Sequence, residues 1–275
     1  MASVELPARR RLERSLDEIV EENRFTIAVV FPAVGAVTLL ASAEALLPGP
    51  LNFNPYFLLF GVAVMRLPLI AGIAPLVTRR AAAGLAVLCG YTYAIEFIGV
   101  FTGYPYGPFA YGVNLGPMLA GHVPAALPLF FLPLVVNAYL LCLLLLGPSA
   151  RRALVRVPVV IVAVVGMDFA LDPAAVSLGF WAYDAGGVYY GVPWTNYAGW
   201  VLSATVAVTV LDSSFDREAI LTRLEDCGFM LDDLVSFVIL WGVVNAYFGN
   251  WMPAALAAAF GYGLWRTDRF DFPER

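Results

Sequence analysis

Lysine is missing altogether: the sixteen basic residues of this 275-residue chain are all Arg. Against 21 Asp and Glu the formal net charge is −5, and charged residues make up only 13% of the chain, about half the usual share of a soluble domain. A nucleic-acid partner, which needs a basic surface, is therefore disfavoured. Histidine occurs once and Cys three times, which supplies no zinc ligand set, no paired disulfide spacing and no haem or di-iron site. Cys89 and Cys142 sit in apolar runs and Cys227 in a charged loop, where cysteine serves as a small buried hydrophobe. No metal and no cofactor are expected, so the chemistry has to come from carboxylates, aromatic rings and water.

What is abundant is apolar: 61% of the residues are hydrophobic and the mean hydropathy is +0.79. That composition is an integral membrane protein's. The long apolar runs at 134 to 146 and 155 to 165, interrupted only by Asn137 and Arg156 among strongly polar residues, are unlike the alternating segments of a transmembrane barrel. The expectation is an all-α, polytopic transmembrane helical bundle of about eight spans. Windows bounded by Pro, Gly or charge place them near 25 to 47, 55 to 77, 81 to 101, 124 to 146, 156 to 172, 197 to 211, 233 to 248 and 252 to 265. The first apolar run is longer than the apolar stretch of a signal peptide and has no net basic flank, so it reads as a retained span.

Arginine placement supports this count, because cytoplasmic loops are enriched in basic residues. Apart from Arg66, the arginines fall in 1 to 24, at Arg79 and Arg80, in 151 to 156, at Arg217 and Arg223, and in 266 to 275, while loops 48 to 54, 102 to 123, 173 to 196 and 249 to 251 hold none. The expected organisation is a cytoplasmic amphipathic segment over 1 to 24, a single transmembrane domain over 25 to 265 and a cytoplasmic tail over 266 to 275. This is a multi-pass protein of the cell membrane with both termini inside. Residues 212 to 233 form the largest cytoplasmic loop in this scheme. The acidic balance without Lys suits a salt-loving archaeal host.

Sorting the carboxylates by this topology leaves Glu44, Glu96, Asp168, Asp172 and Asp184 outside cytoplasmic segments. A charge in hydrocarbon costs at least ~2.5–3.5 kcal/mol on insertion scales, which marks each as a functional candidate. Glu44, Glu96, Asp168 and Asp172 fall within about two turns of the outer ends of their helices, with Asn196 and Asn245 at similar depth. A polar chamber in the outer half of the bundle follows, and Arg66, the sole intramembrane base, pairs with one of these carboxylates, Glu44 being the expected partner. Asp168 and Asp172 are one turn apart on one helix face. Two carboxyls so placed resist double ionisation, so the pair retains a proton, as a general acid must.

Aromatic residues crowd two outer stretches. Phe101, Tyr104, Tyr106, Phe109 and Tyr111 occupy the first; Phe180, Trp181, Tyr183, Tyr189, Tyr190, Trp194, Tyr197 and Trp200 occupy the second. An interfacial aromatic belt accounts for part of this. It leaves unexplained the interleaved Gly and Pro of 103 to 108 and 186 to 193, since irregular backbone at the membrane needs burial in protein or a cavity to line. Both read as loops folded over the chamber, with Tyr104, Tyr106, Tyr111, Trp181, Tyr189, Tyr190, Trp194, Asn196 and Trp200 as candidate substrate-binding residues. His122 reads as a hydrogen-bonded loop residue.

At these stretches the sequence resembles the CruF-type carotenoid hydratases, the carotenoid biosynthesis family that includes the archaeal bisanhydrobacterioruberin hydratases. The resembling segments are Glu96-Phe97-Ile98-Gly99, Thr102-Gly103-Tyr104-Pro105-Tyr106-Gly107, Tyr111, Leu115-Gly116 and Val123-Pro124. Further on they are Asp168, Leu171-Asp172-Pro173, Trp181, Tyr189-Tyr190-Gly191-Val192-Pro193, Asn196-Tyr197 and Gly199-Trp200. Tyr106 stands where the pattern has Phe, and Phe130 and Phe131 where it has a Trp. The resemblance implies addition of water across the terminal double bond of an acyclic carotenoid, giving a tertiary alcohol. The partners it implies are a C50 or C40 carotenoid, water, membrane lipid and other enzymes of carotenoid biosynthesis. Asp168, Asp172 and Glu96 are the catalytic candidates by placement. Three other readings compete: an intramembrane prenyltransferase, which needs a second aspartate-rich motif and bases for diphosphate; a small-solute transporter, which needs polar residues across the full membrane; and a carotenoid-binding protein without activity.

Overall fold

The computed structural model describes residues 7–270 and 272; residues 1–6 of the expected amphipathic segment, and 271 and 273–275 of the tail, lie outside the described residues. Helix α1 (Pro7–Phe25) runs through one π-helical turn, Thr26–Val30, directly into α2 (Phe31–Ala43). The amphipathic segment and the first apolar window are thus parts of one rod. The helices that follow are α3 (Pro55–Ile73), α4 (Arg79–Thr102), α5 (Leu127–Leu146), α6 (Ala153–Ser177), α7 (Trp194–Ser214), α8 (Arg217–Asp226), α9 (Asp232–Tyr247) and α10 (Trp251–Arg266).

Local chemistry sets the helix boundaries. Pro55 opens α3 behind Asn54, whose side chain accepts from the N–H groups of Tyr56 and Phe57, while Thr78 Oγ1 caps α4 by accepting from Ala81 N. Such caps satisfy donors that a helix start leaves open. Gly103, with φ of +73°, ends α4 in the left-handed conformation that glycine adopts without a Cβ clash.

Each of the eight apolar windows holds a helix, yet among the described residues five helices are long and apolar enough to cross a bilayer, or six if α7 and α8, bent by 86°, form one broken span. Helices α9 and α10 have 16 residues each, about 24 Å of rise against ~30 Å of hydrocarbon. They pack on each other and against α6, and α9 also lies on α2 and α3. Helix α5 is the central rod, buried at Phe131 and continuously from 133 to 143.

Pro133 and Pro173 lie inside helices α5 and α6. Each lacks an N–H and so strands the carbonyl four residues earlier. Side chains take up both: Arg66 Nε donates to Leu129 O at 3.2 Å, and the Tyr189 hydroxyl donates to Phe169 O at 3.4 Å. The two prolines therefore tie α5 to α3 and α6 to the loop before α7.

The expected Arg66–Glu44 pair is not formed. Glu44 is exposed where α2 ends, beside Tyr247. Arg66 is buried in α3 and bonds instead to Asp233, whose Oδ2 also accepts from Asn137 Nδ2 at 2.6 Å. A buried guanidinium is neutralised by the carboxylate at its own depth, and that carboxylate is Asp233. Residues 230 to 233 are wholly buried, so the end of the expected 212–233 cytoplasmic loop is inside the bundle. Asp232 bonds Arg24 there.

Candidate active site

Two loops cover one end of the bundle and are stitched together. Strand β1 (Phe109–Tyr111) pairs antiparallel with β4 (Trp181–Tyr183), with Phe109 opposite Tyr183, Ala110 opposite Ala182 and Tyr111 opposite Trp181. A second short ribbon, β2 (Met118–Leu119) with β3 (Val123–Pro124), closes the first loop on itself. Glycine makes the join possible. A Cβ at Gly112 would lie 2.4 Å from Gly179 O, and one at Gly187 would lie 2.0 Å from the Val192 carbonyl carbon.

Beneath the β1–β4 ribbon is a cavity of about 140 Å³. Helix α4 lends it Thr92, Ile95 and Glu96; α5 lends Leu127, Phe130, Phe131 and Leu134; α6 lends Leu171 and Asp172; α7 lends Asn196 and Trp200; and α9 lends Trp241. The loops add Tyr106, Phe109, Tyr111, Leu115, Phe180, Trp181 and Tyr183. A cavity of this size takes a molecule about as large as benzene. It therefore admits one end of a long apolar chain and leaves the remainder outside.

The polar groups of this apolar pocket are concentrated on carboxyls. Asn196 Nδ2 donates to Asp172 Oδ2 at 2.5 Å and to Asp168 Oδ2 at 3.2 Å, and the Tyr183 hydroxyl donates to Asp172 Oδ2 at 3.1 Å. Asp168 and Asp172 thus share one amide donor on the same face of α6. Asp168 is fully enclosed behind Asp172, with Oδ1 lacking a hydrogen-bond partner among the described residues. Across the cavity, Glu96 Oε1 accepts from the Tyr111 hydroxyl. Burial, and then the charge of Glu96, pushes the Tyr111 hydroxyl above the ordinary tyrosine range; burial and the Asp172 and Asp168 charges do the same to Tyr183. Both phenols stay protonated and act as donors.

One wall is aromatic. Phe131 stacks on Trp200 with ring centres 5.6 Å apart, and Tyr106 lies tilted against the same indole at 6.4 Å. The Tyr106 hydroxyl points to Ser203 Oγ at 2.7 Å, which also meets the Tyr91 hydroxyl at 3.0 Å. Among the described residues no group of three or more His, Cys, Asp or Glu could hold a metal ion.

Residues 53–264 match the family described as carotenoid biosynthesis protein. The chain belongs to that family. It is 62% identical over 256 residues, 93% of this chain and 87% of the relative, to the bisanhydrobacterioruberin hydratase of Haloarcula japonica. No solved structure matches it. The family is the one that the segments around Glu96, Asp172 and Tyr189 resemble.

Within this member of the family, the cavity brings together Glu96, Asp172, Tyr106, Tyr111, Trp181, Asn196 and Trp200, with Asp168 directly behind. It leaves out Tyr104, which is 64% exposed, and Trp194, which is 58% exposed. Tyr189 is buried in a separate cluster with Val192 and Tyr197, and Tyr190 packs on it edge-on, its hydroxyl meeting Met252 N. Tyr189 and Trp194 pack on Phe169, which stacks on Tyr197 at 3.8 Å, and so brace the second loop; none of the four lines the cavity. His122 is an exposed loop residue against Phe101. Sequence reasoning had Tyr183 only as one aromatic among many, and missed Trp241 and Asp233. The signal for Tyr183 was its two-residue spacing from Trp181, the strand period that puts both on one face.

Proposed function

We propose that this chain is a carotenoid hydratase that adds water to the terminal carbon–carbon double bond of an acyclic carotenoid, with bisanhydrobacterioruberin as substrate and bacterioruberin as product. One observation carries the reading: carboxyls from two different helices, Glu96 and Asp172, open into a single aromatic cavity sized for one end of an apolar chain. The name of the Haloarcula japonica relative points the same way. The lining contains no Arg, which speaks against a diphosphate substrate.

Chemically, the aspartate pair supplies the proton. Asp172 gives it to the less substituted alkene carbon, and a new C–H bond forms as the π bond breaks. Positive charge develops on the more substituted carbon, against the faces of Phe131, Trp200 and Tyr106 and near the unprotonated oxygens of the carboxyls. Water attacks that carbon, and Glu96 takes the proton it releases. The product is a tertiary alcohol, and passage of the proton from Glu96 back to the aspartate pair resets the site. Asp168 acts through Asp172, and Asn196 holds both aspartates in place.

In this reading the cavity lies in the outer half of the membrane and both termini are cytoplasmic, as the arginine-free outer loops support. Six or eight crossings both return the C-terminus to the side of the N-terminus. Expression in a host that makes the unsaturated precursor tests the activity. Pigments heavier by one or two waters are expected with the wild-type chain, and the unaltered precursor with Asp172→Asn or Glu96→Gln protein of equal abundance in the membrane. Hydration by both amide variants at the wild-type level would refute the assigned roles.

A further inference from the structure

The β1–β4 register puts Phe109, Tyr111, Trp181 and Tyr183 on one face of the ribbon and Ala110 and Ala182 on the other, because side chains alternate along a strand and directly paired residues share a face. All four aromatics line the cavity, while both alanines are exposed. The two hydroxyls on the inner face reach two different helices: Tyr111 donates to Glu96 on α4, and Tyr183 donates to Asp172 on α6. The ribbon continues into the loop backbone through Gly112 N to Phe180 O at 3.0 Å and Asp184 N to Pro108 O at 3.1 Å. It is one crossbar fastened to both carboxyls.

A donor bonded to one carboxyl oxygen favours the proton on the other. Tyr111 so biases Glu96 Oε1, and Tyr183 and Asn196 both bias Asp172 Oδ2, which favours the other oxygen of Asp172 as the one that delivers the proton.

We infer that Tyr111 and Tyr183 are positioning residues of the hydration. Their shared ribbon sets the spacing and orientation of the proton-donating and proton-accepting carboxyls, and it keeps the two roles apart. This rests on the hydratase reading above. The titratable groups facing these carboxyls are Tyr106 and Tyr111 beside Glu96, and Asp168, Tyr183 and Tyr197 beside Asp172, with Glu96 and Asp172 also facing each other.

The test is Tyr111→Phe and Tyr183→Phe, which keep the rings and remove only the hydroxyls, assayed in membranes beside the wild-type chain. Loss of a hydrogen bond to a charged group predicts a fall in kcat of about ten- to a hundredfold, with KM nearly unchanged. Without its donor, a carboxylate takes up its proton at higher pH. The low-pH limb of the rate profile therefore moves toward alkaline pH in Tyr111→Phe, where the proton acceptor is affected. In Tyr183→Phe the high-pH limb moves the same way, because the donor then holds its proton longer. Retention of carotenoid by the purified variants, read from its visible absorption, checks the fold. Wild-type rates in both variants, or slowed variants with both limbs unmoved, would overturn the positioning role. A wild-type chain that hydrates nothing would instead overturn the parent reading.

Discussion

Glu96 and Asp172 are each held by a phenol, yet only Asp172 shares its amide donor with a second carboxyl, Asp168, and in the proposed mechanism that asymmetry separates acid from base. General acid–base groups contribute about 10²–10⁴-fold, so Asp172→Asn is expected to lower the hydration rate by at least a hundredfold. Asp168→Asn, which keeps one carboxyl at the cavity, is expected to lower it less; single-turnover pigment analysis in isolated membranes distinguishes the two. Arg66 belongs to stability. Removing one partner of a buried ion pair costs about 3–5 kcal/mol, so Arg66→Met should lower the thermal unfolding midpoint in detergent markedly. The double replacement Arg66→Met with Asp233→Leu should restore most of it, because no charge is then left unpaired. The carboxylates of the site were legible in the sequence because an acid in an apolar run stands out. The Arg66 partner was not, because Asp233 adjoins a charged stretch and only the fold shows that the chain has already turned inward there.

Among the elements, the helices of the eight apolar windows were legible nearly to their ends, since Asn54, Thr78, Gly103 and the prolines are local signals of starts and stops, whereas α8 lies within the 212–233 stretch that reads as a loop because its polar sequence has no long apolar run. Pairing between β1 and β4 was hidden, because it joins residues about seventy positions apart and each strand has three residues, too short for a periodic pattern. The aromatics of the second loop were for the same reason taken together, although Phe169 divides them into cavity lining and brace. Gly199 illustrates how closely an element meets the site. A Cβ there would lie 2.6 Å from Tyr106 Cδ1 and 3.1 Å from the Pro105 carbonyl carbon. Gly199→Ala is expected to cost about 1–3 kcal/mol by overpacking and to push the Tyr106 ring into the cavity. A lower unfolding midpoint together with weaker carotenoid retention checks it, whereas Gly90→Ala, with open space around it, should change neither.

For the whole molecule, composition alone indicated a helical membrane protein, while the number of crossings depends on how α9 and α10 use their short lengths. The proposed orientation places Val188, 80% exposed, outside the cell and the exposed Glu225 inside. A membrane-impermeant thiol reagent added to intact cells should label Val188→Cys and spare Glu225→Cys, with the reverse pattern refuting the topology. In that orientation a cavity that admits one chain end suits a substrate whose terminus lies near the membrane surface and whose length stays in lipid. In the proposed hydration, the oxygen added to that terminus comes from water. Membranes containing the chain, given the unsaturated acyclic carotenoid in ¹⁸O-labelled water, should yield a product that has gained one or two labelled waters. An unchanged mass, or a product whose new oxygen is unlabelled, would contradict it.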